Sequence, residues 1–112
     1  MDREAALERV EGDGELLGEM ASLFLEDYDS ALCAIRWALE QADGRSAARE
    51  AHALKGSLAS LAATEAQERA RELEALAICG EHSKAAEACD RLITALQRLR
   101  PVLQDLTYPT GP

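Results

Sequence analysis

His52 is the residue whose type and setting can do chemistry. An imidazole open to water is largely neutral at pH 7 and keeps a free lone pair, so it can act as a nucleophile. Lys55 follows three positions later, on a neighbouring row of any helix over this stretch, where its ammonium can reach an anionic group carried on the ring. Gly56 comes next. A glycine inside a helix costs about 1 kcal/mol relative to alanine, so its presence calls for a packing or functional reason. Ala48, Arg49 and Ala59 lie around the histidine on the same helix, and the small residues among them would let a partner approach closely. Taken alone, a surface histidine with lysine at i+3 describes a solvated helix face far more often than a site.

The histidine needs a helix to present it. On a wheel of about 100° per residue, Ala51, Leu54, Leu58 and Leu61 fall within an arc of roughly 80°, and His52 lies about 140° from the centre of that arc. This segment is expected over about 46–62, with Ser46 as its N-cap. A longer helix is expected over 15–42, where Leu17, Met20, Phe24, Tyr28, Leu32, Ile35 and Leu39 recur every three or four positions; Asp27 to Ser30 marks a candidate bend or break. Residues 2–10 form a short leading helix, stopped by Gly12-Asp13-Gly14. Thr64-Glu65-Ala66-Gln67 has capping-box spacing for a fourth segment, in which Leu73 and Leu76 share a side before a left-handed stop at Gly80. The last helix is expected over 83–100, with Ala86, Cys89, Ile93, Leu96 and Leu99 inward and Pro101 ending it. Connections this short imply antiparallel neighbours. The expected fold is all-α, an antiparallel up-down four-helix bundle with a short extra N-terminal helix, forming one domain over 1–106 and a flexible tail over 107–112.

Composition agrees with one such domain. The chain has 112 residues, 47% of them apolar but only 4% aromatic, a mix rich in helix-forming alanine and leucine. Its formal charge is -9, with 21 acidic against 12 basic side chains, which excludes nucleic acid as an expected partner and favours a protein partner with basic character at its rim. No stretch is long and apolar enough to span a bilayer, so direct membrane contact is not expected. Cys33, Cys79 and Cys89 form neither a metal-type pair nor a disulfide framework and read as small buried hydrophobes in a reducing, cytoplasmic setting. His82 reads as a solvated loop residue. No metal site is expected, because Glu-x-x-His spacing of the kind used by di-metal bundles does not occur. Tyr28 is placed in the core, while the periodicity leaves Trp37 open between core, core edge and docking surface.

Ala51-His52-Ala53-Leu54-Lys55-Gly56-Ser57 resembles the A-H-x-L-K-G-S/A signature of histidine-containing phosphotransfer (HPt) domains. Leu16-Leu17, Leu23-Phe24-Leu25-Glu26-Asp27 and Ala70-Arg71-Glu72-Leu73-Glu74 resemble further segments of the family, so the likeness runs over about 10–103. It implies that His52 is phosphorylated, that Lys55 helps hold the phosphoryl group, and that Gly56 is the gap admitting the partner. It implies receiver domains as partners: one receiver's aspartyl phosphate donates to His52, which passes the group to an aspartate of another. No cofactor is then expected on this chain, with Mg²⁺ on the receiver, and no independent kinase activity. A monomer is expected, either standing alone or in cis within a hybrid sensor kinase, in the cytoplasm or as the cytoplasmic part of a membrane sensor. The chain departs from the family in carrying Ala62 where a glycine is common and Ser60 where asparagine is frequent. Two other readings remain: a non-catalytic acidic helical adaptor with His52 incidental, and the HPt-like first domain of a chemotaxis-type kinase.

Overall fold

The computed structural model describes residues 1–107, which form five α-helices and no strand. These are α1 (Arg3–Arg9), α2 (Gly14–Glu40), α3 (Gly44–Ser60), α4 (Thr64–Ile78) and α5 (His82–Thr107). The main packed pairs are α2 with α3, α3 with α4, α4 with α5, and α5 with α2, so the four long helices close a ring while α1 rests on α2. None is long and apolar enough to cross a membrane.

Each helix contributes one apolar stripe to a shared core. Leu17, Phe24, Tyr28 and Ile35 come from α2, Ala47, Ala51, Leu54 and Leu58 from α3, Ala66, Ala70, Leu73 and Ala77 from α4, and Leu92, Leu96, Leu99 and Leu103 from α5. Tyr28 is buried, its ring stacked on Phe24 with centroids 5.5 Å apart. That continuous stripe carries α2 unbroken through 27–30, the candidate bend or break; Asp27, Asp29 and Ser30 turn to water and interrupt nothing.

The ends of α2, α3 and α4 share one construction. Ala42, Ala62 and Gly80 take left-handed backbone at φ 55, 53 and 77°, and the next residue's N–H reaches back into the helix: Asp43 to Ala38, Ala63 to Leu58, Glu81 to Leu76. The Gly80 stop is as expected. At 62 the family's common glycine has a physical reason, since a side chain there must adopt a conformation that glycine takes freely.

These joints displace two expected caps. Asp43, closing α2, also opens α3: its carboxylate accepts from the Ser46 N–H at 3.1 Å and from the Ser46 hydroxyl at 2.6 Å. Ser46 is therefore the donor, not the N-cap, because a carboxylate outcompetes a hydroxyl at the positive end of a helix. Those same bonds hold the Asp43 carboxyl below its usual value. Thr64 is already helical, and the cap position falls to Ala63, which offers no side-chain acceptor.

Pro101 does not end α5. It sits on the exposed face, and the helix runs on to Thr107 because Leu103 is buried and Val102 and Leu106 pack on the core. A Cβ on Gly18 of α2 would lie 3.0 Å from the Leu106 carbonyl oxygen, so this extension lies tight against α2. The α5 stripe also differs from expectation: Ala85, Ala88 and Leu92 face inward, Ala86 is exposed and Ile93 half-buried. Alanine at both 85 and 86 left the periodicity no means of choosing. Of the expected tail, Thr107 closes α5 and 108–112 lie outside the described residues.

Candidate functional site

The core stripe of α3 leaves the opposite side of that helix free. Ala51, Leu54 and Leu58 are buried, whereas His52 projects outward with 67% of its side chain exposed. Gly56, one turn on, is exposed, and a Cβ built on it would meet nothing within 4 Å. No packing among the described residues requires that glycine. Gly44 is the opposite case, since a Cβ there would collide with the Ala77 carbonyl of α4.

Glu74 on α4 completes the site, a residue that the sequence marks only as the last of the Ala70-Arg71-Glu72-Leu73-Glu74 segment. Its Oε2 accepts from His52 Nδ1 at 2.6 Å, and its Oε1 accepts from Lys55 Nζ at 2.8 Å. A carboxylate offers no proton, so Nδ1 carries the hydrogen, and in the neutral ring it is Nε2 that holds the lone pair. The Lys55 bond first, and then the His52 bond against the cost of partial burial, hold the Glu74 carboxyl below the usual glutamate value of 4.5. The interaction joins residues 22 apart on two helices. Only the Ala70-Arg71-Glu72-Leu73-Glu74 motif hinted at it, because a single helix wheel cannot give the register of α4 against α3.

The remaining expected residues are distributed around this centre. Lys55 is half-buried and directed at Glu74. Arg49 is exposed and Ala59 half-buried. Ala48 is only 5% exposed, so it forms the floor of a groove between α3 and α4, not a protruding contact; Arg45, Arg71 and Ile78 wall that groove. On the other side of α3, Met20, Leu23, Phe24, Ala53 and Ser57 line an apolar groove against α2.

Several residues left without a role also find their places. Cys89 is buried, its thiol pushed up by desolvation, but Cys33 and Cys79 are exposed, contrary to expectation. Cys33 lies on the water side of α2 and Cys79 caps the C-terminal end of α4, positions where a small side chain imposes no period. Trp37 is exposed on α2. His82 is not a loop residue; it opens α5, with Nδ1 buried and without a hydrogen-bond partner among the described residues and Cε1 turned toward Gly44.

A ring of four helices that holds a tautomer-fixed imidazole out to solvent, with a cation beside it, defines a histidine-presenting helical domain. The chain belongs to the Hpt domain family, whose model matches residues 19–101, from within α2 to Pro101. Membership assigns it to phosphotransfer in two-component signalling, and domains of this family interact with response-regulator receiver domains. No curated protein and no solved structure matches the chain significantly.

Proposed function

We propose that this domain is a phosphorelay intermediate whose carrier is His52. The single observation that carries the reading is the His52–Glu74 bond, which leaves Nε2 with its lone pair on an exposed ring. The Nε2 lone pair attacks the phosphorus of a receiver's aspartyl phosphate, the P–O bond to the aspartate breaks, and the aspartate leaves as carboxylate. The ring then carries the phosphoryl group on Nε2 and the original proton on Nδ1. It is a cation, and the Glu74 carboxylate compensates that charge at the nitrogen where the proton sits. Attack by a second receiver's aspartate reverses the bond changes and restores the neutral ring.

Lys55 holds the phosphoryl group by turning its ammonium from Glu74 Oε1 toward a phosphoryl oxygen, an exchange of one anion for another. Gly56 leaves the bare patch on which the receiver closes, with Arg49 and Ala59 beside it and Ala48 beneath. Mg²⁺ belongs to the receiver and would neutralise charge developing on the transferred oxygens. The domain works as a monomer in the cytoplasm, alone or in cis with a sensor kinase. Its four long helices alternate in direction, the arrangement their short joints favour.

Incubation with a phosphorylated receiver tests this reading. Acid-labile phosphate should appear on the wild-type chain and not on His52→Gln. No label from any receiver in a panel would favour an acidic adaptor instead, and label persisting on the variant would assign the carrier to another residue.

A further inference from the structure

The stripe that presents His52 carries more than the carrier. Arg45, Arg49, His52 and Gly56 stand at i, i+4, i+7 and i+11 of α3, one nearly straight outward line, and all four are exposed. A surface that settles over Gly56 to reach His52 and extends along the helix therefore covers both arginines. Neither makes an ion pair among the described residues, unlike Arg71 across the groove, which is paired with Glu68. Asp43 feels both arginines through space, but its carboxylate is hydrogen-bonded to Ser46 as the cap of α3. Glu74, the carboxylate inside the groove, is already shared between His52 and Lys55.

Two unpaired guanidinium groups on the working face are informative in a chain of net charge -9. A protein that bears a phosphoryl group on an aspartate and binds a hard divalent cation must gather carboxylates around that point, because such cations take oxygen ligands. Its rim is therefore acidic. Two acidic proteins repel at long range, and productive encounter requires a local patch of the opposite sign at the reacting face. We propose that Arg45 and Arg49 form a cationic ledge that attracts and orients the acidic rim of the receiver's phosphorylation site. The ledge lies on the N-terminal side of His52 only, so it also selects which way round the receiver sits. This inference rests on His52 being the carrier, and its test separates the two.

The experiment measures second-order phosphotransfer from a phosphorylated receiver to the whole chain, at low and at high salt. The variants are Arg45→Glu/Arg49→Glu and, as a control of equal charge change on other helices, Arg36→Glu/Arg100→Glu. Labelling of His52 by phosphoramidate, a small donor that needs no docking, runs in parallel. The ledge predicts a fall of about tenfold or more at low salt for the first variant alone, closing toward wild type near 1 M salt, where screening acts over about 3 Å. Phosphoramidate labelling should be unchanged in both variants. Equal losses in both double variants, no loss in the first, or a loss that salt does not close would each overturn the ledge while leaving His52 as carrier. Failure of the wild type to take label from receiver and phosphoramidate alike would overturn both.

Discussion

Glu74 and His52 meet at 2.6 Å across two helices, and the carboxylate takes the Nδ1 hydrogen so that the other ring nitrogen is the nucleophile. Substituting Glu74 by alanine should leave the ring free to exchange tautomers. A charge-assisted hydrogen bond is worth about 1.5 to 3 kcal/mol, so if that preference is expressed in the transfer step the rate falls on the order of tenfold or more. Glu74→Gln, which keeps an acceptor for Nδ1 but not the charge, should recover part of it. Nitrogen NMR of the labelled imidazole checks the cause: the Nδ1–H form should dominate in wild type and lose its dominance in Glu74→Ala. An unchanged tautomer ratio would remove Glu74 from its positioning role.

The same carboxylate ties stability to pH. Its pKa is depressed in the folded chain by Lys55 and His52, so the stabilisation is present above the ordinary glutamate value of 4.5 and is lost as pH falls through the lower folded value. The difference in melting temperature between wild type and Glu74→Gln should therefore hold above pH 4.5 and shrink below it. A difference that grew on acidification would contradict the ion-paired state.

Gly44 and Gly56, both in α3, should respond oppositely to alanine. At Gly56 the added methyl meets open space, and helix propensity alone should stabilise the fold by about 1 kcal/mol. Transfer from a receiver should nevertheless slow, with phosphoramidate labelling retained. At Gly44 the methyl strikes the α4 backbone, which should cost about 1 to 3 kcal/mol. Chemical denaturation of the two variants, with receiver assays on Gly56→Ala, measures both.

Ala62 offers a stabilising substitution outside the site. Its φ of 53° is strained for a side chain and natural for glycine, so Ala62→Gly should raise stability by about 0.5 to 1 kcal/mol, with little change in transfer rate. A lowered melting temperature would mean that the buried methyl contributes more by its contacts than the left-handed backbone costs.

What the amino-acid pattern disclosed was what is local. His52 outward, Leu54 and Leu58 inward and Gly56 bare all follow from one helix wheel, and the stop at Gly80 from one residue's backbone freedom. Features that depend on a second element were hidden. Glu74 belongs to the site only because α4 lies at a particular height against α3. Pro101 continues a helix because Leu103 and Leu106 find apolar surface beyond it. Asp43 takes the cap from Ser46 because the residue that finishes α2 also begins α3, an economy of chain that no capping preference encodes.

One oxygen of Glu74 is held on the imidazole nitrogen remote from the nucleophile, and the other holds the lysine until its ammonium turns to the phosphoryl group. A phosphoryl group resting on Nε2 would stand with the ring between it and that carboxylate, so Glu74 is badly placed to activate a water against phosphorus. The site is open to solvent, yet it gives that solvent no base to work with. Lifetime of the phosphorylated form would then be set by the nitrogen–phosphorus bond itself, and the domain would act as a reservoir that empties when a receiver arrives rather than a timer that runs down by hydrolysis.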